Sequence, residues 1–214
     1  SLDNVLQNAD VICCHTPLTQ DGDYPTHHLL NASNLHALKT DAILLNAGRG
    51  PVIDNEALLQ CLKLRSDLTA VLDVWEFEPE VNAELAEHCA IISPHIAGYS
   101  LDGKVRGTFM LYQALCQHLN IPEEHVLKDF LPESDLPAVN ESFANPLQIM
   151  QQIYDPREDD RLLRSTLTLP AEQQATEFDQ LRKNYRTRRE FSSLTIEEHT
   201  QSALLGALGF SISS

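Results

Sequence analysis

The sequence is short of positive charge, of glycine and of paired cysteine, and it has no long apolar run. Lys and Arg number 15 against 31 Asp and Glu in 214 residues, for a formal net charge of −16. A surface of that sign repels nucleic-acid phosphates, so no nucleic-acid partner is expected, and the excess acid reads as solubility. No stretch approaches the ~20 consecutive apolar residues of a membrane span, and no signal-peptide pattern opens the chain, so no membrane association is expected. The five cysteines, Cys13, Cys14, Cys61, Cys89 and Cys116, are odd in number and include no CxxC pair. Disulfide frameworks and zinc sites both fit that pattern badly, and no metal ligands are assigned. Cys13 and Cys14 sit in an apolar run and read as buried thiols of a cytoplasmic protein. The eight glycines contain no G-x-G-x-x-G.

What is present is a globular composition, 43% apolar, with two textures alternating over the first hundred residues. Short β-rich runs occur at Asp10–His15, Ala42–Asn46, Ala70–Val74 and Ala90–Ser93. Between them lie helix-like stretches at Asn31–Leu38 and Asn55–Leu64, the second capped by Asp54. Continuous apolar strands separated by helices predict an α/β fold, a parallel sheet covered on both faces, with ligands at the carboxyl ends of its strands. Asp102–Leu119 reads as one long helix with Val105, Phe109, Tyr112, Ala114, Leu115 and Leu119 available for packing. Residues 121–145, with Pro122, Pro132 and Pro137, read as a linker. Residues 146–214 then read as a smaller α+β domain. Asn31-Ala-Ser and Asn140-Glu-Ser match the glycosylation pattern by chance, since no secretory signal accompanies them.

Three polar clusters stand at the ends of predicted strands. In Asn46-Ala-Gly-Arg-Gly50 an arginine between two glycines can approach a ligand closely, and guanidinium binds carboxylate through two parallel hydrogen bonds. The plain alternative is a surface arginine in a tight turn. In Asp73-Val-Trp-Glu-Phe-Glu-Pro79 acids bracket a strand end, where a carboxylate can orient a histidine or contact a cofactor, or merely form a solvated loop. In Ser93-Pro-His-Ile-Ala-Gly-Tyr99 the histidine is suited to moving a proton near neutral pH. A lone histidine is usually structural. Arginine, acid and histidine each ending a successive strand form a less ordinary set.

Taken in order, Asn-x-x-Arg-Gly, Asp-Val-x-x-x-Glu-Pro and Pro-His-x-Ala-Gly resemble the D-2-hydroxyacid dehydrogenase family. Ala9-Asp-Val-Ile-Cys-Cys-His-Thr-Pro-Leu-Thr19 is similar to that family's cofactor-side strand and loop. The resemblance implies the second half of a Rossmann-type doubly wound sheet in residues 1–120, NAD as cofactor, and catalytic roles for Arg49, Glu78 and His95. It further implies cofactor contacts at Thr16, Asp73 and Gly98 and a substrate contact at Tyr99. Phe178-Asp-Gln-Leu-Arg-Lys-Asn-Tyr185 with Arg188-Arg-Glu resembles a branch of the family whose tail forms a homodimer interface and whose substrate is a small phosphorylated 2-hydroxy acid. Five of the fifteen basic residues, Arg182, Lys183, Arg186, Arg188 and Arg189, fall within eight positions of that tail. They read as a solvated helix face or as a positive rim for an anionic substrate.

The family needs a glycine-rich loop to hold the cofactor pyrophosphate. Its lack here implies that this loop and a substrate-binding half lie upstream, that the chain is the C-terminal two-thirds of such an enzyme, and that it is inactive by itself. Two other readings remain open: a family member of the phosphoglycerate or hydroxypyruvate type, and a non-catalytic NAD-sensing binding module or corepressor.

Overall fold

The computed structural model describes residues 1–133, 145–197 and 199–213. In chain order its elements are α1 (Leu2–Asn8), β1 (Val11–Cys14), β2 (Ile43–Asn46), α2 (Asn55–Leu64), β3 (Thr69–Leu72), α3 (Ala83–His88), β4 (Ile91–Ile92) and α4 (Leu101–Leu119). They continue with α5 (Pro146–Ile153), α6 (Pro156–Thr166), α7 (Ala171–Lys183), β5 (Thr195–Ile196), α8 (Ser202–Ala207) and β6 (Ser211–Ile212). The chain forms two compact units, residues 1–97 with 156–185, and residues 98–155 with 186–214.

The first unit is built on a parallel sheet of order β1-β2-β3-β4. Sequential order with every neighbour parallel is that of one half of a doubly wound sheet, so the expected α/β class holds. The register is unbroken across the middle strands, Leu44 pairing with Ile12 on one side and Ala70 on the other. Leu44, Ala70, Leu72 and Ile92 from the strands join Leu58, Leu59, Leu62 and Leu85 from the helices in one buried cluster. Capping follows the sequence closely. Asp54 accepts from the Ala57 N–H at 2.9 Å to start α2, and Asn82 accepts from Leu85 N–H to start α3; each such cap stabilises by roughly 1 kcal/mol.

Several expectations need correcting. Asn31–Leu38 forms only a 3-10 turn at Leu35–Ala37, because the Asn31 and Asn34 side chains bond the local backbone and compete with helix. Cys13 is exposed: β1 is an edge strand, and Val11 and Cys13, two residues apart, share its open face. Its neighbour Cys14 is buried, and burial first, then the adjacent Cys13, pushes its thiol up to about 11. Cys89, also buried, is pushed up to about 12. Neither is a thiolate nucleophile near neutral pH.

The division of the chain also differs from the one the sequence suggests. Residues 156–185, expected in the C-terminal domain, cluster with residues 1–97, and Leu163 and Phe178 join that core. The charged helix α6 explains why. Asp160 accepts from the Ile92 N–H on the outer edge of β4 at 2.9 Å, satisfying a donor that an edge strand otherwise exposes. Arg164 grips Asp160 and donates to the Ala86 and Cys89 carbonyls at 2.7 and 2.9 Å.

The second unit holds α4 and, around Ile149, Leu194, Ile196, Leu205 and Phe210, the helices α5 and α8 with the parallel pair β5–β6. In α4 only Asp102 and Cys116 are buried. Of the expected packing positions, Leu115 and Leu119 are exposed. Of the expected linker, residues 134–144 lie outside the described residues, with Pro137 and the Asn140 glycosylation pattern.

Asp102 is 2% exposed and accepts from Arg189 at 2.9 and 3.2 Å and from the Glu190 N–H at 3.0 Å. Burial pushes its carboxyl up, but the Arg189 and Glu190 hydrogen bonds outweigh that and hold it below its ordinary value. A carboxyl lowered on folding stabilises the fold above its unfolded value of about 3.9 and loses that contribution as pH falls through its folded value. Asp102→Asn should therefore cost about 2–4 kcal/mol at neutral pH, and less in acid. Denaturant titrations at pH 7 and near pH 3 check this; a gap between wild type and variant that does not shrink in acid would contradict it.

Candidate active site

The carboxyl ends of β2, β3 and β4 carry the three polar clusters side by side in sheet order. After β2, the Asn46 side chain folds the turn back on itself, accepting from Gly48 N–H at 3.1 Å and donating to the Arg49 carbonyl at 3.0 Å. Two glycines let this turn press against its neighbours. A Cβ on Gly48 would lie 2.9 Å from the Cys14 carbonyl oxygen, and one on Gly50 only 1.8 Å from that of Trp75. Arg49 between them is exposed; its guanidinium donates to the Gly48 carbonyl at 2.9 Å. Among the described residues no carboxylate pairs with it, so its fork is available to an anionic ligand.

After β3, Asp73 is 6% exposed and its carboxylate is fully engaged. Oδ1 accepts from the Ser93 hydroxyl at 2.6 Å and from Ile96 N–H at 2.8 Å, and Oδ2 from Ala97 N–H at 3.0 Å. Its carbonyl accepts the His95 N–H at 2.6 Å. These bonds close the chain around His95, whose φ is +55°. Asp73, expected as a cofactor contact, is thus first a positioning group for the loop after β4.

Glu78 ends the same loop. Its Oε1 accepts from Trp75 N–H at 2.8 Å, and its Oε2 lies 2.7 Å from His95 Nδ1. Both side chains are partly open, 22% and 30% exposed. With Nδ1 held by the carboxylate, Nε2 is the nitrogen left for a ligand, the geometry by which an acid fixes the tautomer of an acid–base histidine. The single tryptophan, Trp75, is buried and donates to the Ser93 carbonyl at 3.3 Å, tying the two loops together.

Glu78 and His95 are therefore brought into contact, and Arg49 stands at the end of the adjacent strand pair. Thr16 follows β1, and its hydroxyl is buried with no hydrogen-bond partner among the described residues. An orphaned buried hydroxyl at a strand's carboxyl end suits a polar ligand such as NAD. Gly98 and Tyr99 open the second unit, where Lys104 lies 3.9 Å over the Tyr99 ring. The tail basic cluster divides: Lys183 is exposed and Arg182 pairs with Asp179 on α7, as a solvated helix face would, whereas Arg188 and Arg189 are taken up within the fold. Arg188 is 8% exposed and stacks 4.4 Å over Tyr154, and Arg189 is bound to Asp102.

Residues 1–97 match the family described as D-isomer specific 2-hydroxyacid dehydrogenase, NAD binding domain, and residues 130–209 match a domain of unknown function, DUF3410. The chain is 45% identical over 213 residues to an erythronate-4-phosphate dehydrogenase of Pseudomonas putida, covering 97% of this chain and 56% of that protein. It is 47% identical over 218 residues to the protein of the same name from Pseudomonas syringae pv. tomato, covering 98% and 57%.

The chain is therefore similar, through residues 1–97, to the D-isomer specific 2-hydroxyacid dehydrogenases.

It spans just over half the length of the curated relatives it matches, rather than two-thirds. Sequence reasoning located the strand-end residues but missed a second histidine–glutamate pair, His28 Nε2 with Glu76 Oε1 at 2.6 Å. Glu76 stood in the acidic cluster, but nothing local points to a partner 48 residues earlier.

The glycines give a test of this arrangement. Gly50→Ala forces a methyl into the Trp75 backbone and should cost about 2–3 kcal/mol or more, whereas Gly48→Ala meets a milder backbone clash, with the Cys14 carbonyl oxygen, and should cost less. Thermal unfolding ranks the two; a Gly50→Ala protein as stable as wild type would show that the β2 and β3 loops do not pack this way.

Proposed function

We propose that this chain supplies the proton-transfer and carboxylate-binding groups of an NAD-dependent dehydrogenase acting on 4-phosphoerythronate, which it converts to the 2-oxo acid, a cytoplasmic step toward pyridoxal phosphate. The observation that carries the proposal is the His95–Glu78 pair at 2.7 Å on the edge of the sheet where Arg49 is exposed and unpaired. The name shared by the relatives supports the choice of substrate.

In this reading Arg49 receives the substrate carboxylate through its planar fork and polarises the oxygen on C2. His95 Nε2 takes the C2 hydroxyl proton during oxidation and returns it in the reverse direction. Glu78, itself held by the Trp75 N–H, keeps Nδ1 protonated and stabilises the imidazolium as it forms. NAD, when bound, supplies the hydride acceptor. Thr16 offers its unpartnered hydroxyl to that cofactor, Asp73 holds the loop beside it, and Gly98 and Tyr99 contribute a cofactor and a substrate contact.

The chain is further proposed to act as a homodimer through its second unit. Leu204 on α8, Leu208 just after it and Ile212 on β6 are 39–50% exposed. Apolar side chains grouped on a short helix and the adjoining strand suit a self-association surface.

In the full-length protein, assayed with NAD and 4-phosphoerythronate, His95→Ala should lower turnover by roughly 10²–10⁴-fold with cofactor affinity little changed. Arg49→Lys keeps the charge, loses the fork, and should still impair the enzyme severely. Near-normal turnover in the first variant removes His95 from the reaction, and recovery by lysine removes bidentate carboxylate binding. Leu204→Asp with Leu208→Asp should yield monomers in sedimentation; a dimer that survives the pair places the interface elsewhere.

A further inference from the structure

The loop that presents Glu78 to His95 also presents Glu76 to His28, and there a third ligand joins. His27, His28 and Glu76 each offer one ligand atom, and these atoms all lie within 4.8 Å of one another. The two imidazoles stack with centroids 4.1 Å apart. Among the described residues this is the one group of three or more histidine, cysteine or acid side chains gathered so closely.

We propose that His27, His28 and Glu76 form a binding site for a borderline divalent cation such as Zn²⁺. Two imidazoles and one carboxylate are a ligand set that zinc accepts, with the fourth position left to water. His27 is exposed, which puts that fourth position on the solvent side.

The surroundings are those of a supported site. Glu76 uses its other oxygen, Oε2, to accept from the Asn55 N–H at the start of α2 at 3.0 Å, while its own N–H donates to Asn55 Oδ1 at 3.2 Å. Asp54 Oδ2 stands 3.9 Å from His28 Nδ1. That is too long for a hydrogen bond, but it puts a second negative charge on the Nδ1 side of the ring and leaves Nε2 for a cation. The His28 backbone N–H donates to the Pro51 carbonyl at 2.8 Å, a bond that helps hold the residue at φ +50°.

Binding requires a small adjustment. Ligand atoms at ~2.0–2.2 Å from one tetrahedral ion stand about 3.4 Å apart, so the 2.6 Å contact of His28 Nε2 with Glu76 Oε1 opens and exposed His27 closes in. The ion would tether the 27–28 loop, the start of α2 and the loop after β3. None of this depends on the reaction proposed above.

The test is titration of the full chain with Zn²⁺ by calorimetry, and with Co²⁺ by absorption. One saturable site is expected, weakened by about tenfold or more in His27→Ala and in Glu76→Gln. His118→Ala, at another exposed histidine on α4, should leave it unchanged. His27 is exposed, and the amide introduced by Glu76→Gln keeps an acceptor for the Asn55 N–H, so both variants should retain the wild-type circular dichroism. The Co²⁺ spectrum should carry no thiolate charge-transfer band, since Cys13 is the exposed thiol that could compete. No saturable binding, equal binding by both variants and wild type, or a thiolate band would each overturn the site.

Discussion

The strand-end geometry depends on the carboxylate of Asp73. A carboxylate removed from water costs several kcal/mol unless donors meet it, and here the donors are Ser93 O–H, Ile96 N–H and Ala97 N–H. They lie on both sides of His95, whose own N–H is held by the Asp73 carbonyl. The chain can satisfy all four only by turning tightly at His95, which adopts φ +55°. A left-handed non-glycine residue costs about 1–2 kcal/mol. Hydrogen bonds to a charged acceptor, at roughly 1.5–3 kcal/mol each, more than offset it. The imidazole therefore faces Glu78 because a buried acid, not its own local preference, dictates the backbone beneath it.

What could be read in the sequence was what local chemistry determines. Asp54 caps α2 where it should, because a side-chain acceptor beside an amphipathic stretch needs no distant partner. The strand-end positions of Arg49, Glu78 and His95 were legible because each follows an apolar run that reads as a buried parallel strand. The residues misread were those whose neighbours come from afar. Cys13 is as apolar as Cys14, but it lies with Val11 on the face of β1 that the described residues leave uncovered. The charged texture of α6 suggested a separate domain. Its Asp160 in fact closes the outer edge of β4 from 68 residues away. Arg188 and Arg189 looked like free charge and are occupied by Tyr154 and Asp102.

α4 shows the opposite balance between local and tertiary forces. Nineteen residues long, it buries only Asp102 and Cys116, so packing within the second unit contributes little to it. Its ends do more. Ser100 accepts from the Gly103 N–H at 3.0 Å, and Asn120 closes the last turn in the left-handed conformation at φ 54°. That conformation at a helix end is ordinary for asparagine, whereas at His28 and His95 it is imposed by surrounding bonds.

Glu76 and Glu78 are the clearest case of one loop put to two uses. Each carboxylate gives one oxygen to a backbone N–H, of Asn55 and Trp75 respectively, and the other to a histidine. The amide bond removes rotational freedom from the carboxylate, so its second oxygen is presented in a fixed direction and the imidazole is held without further support. What distinguishes the two pairs is the company they keep. Around His95 the bonds are to Glu78 through Nδ1 and to the Asp73 carbonyl through the backbone N–H, and Nε2 carries no bond to another described residue. Around His28 stand a second imidazole and a second carboxylate, which together favour a positive ion over a proton donor. Two glutamates of one loop therefore stand in different settings, set by the third groups that the fold brings to each.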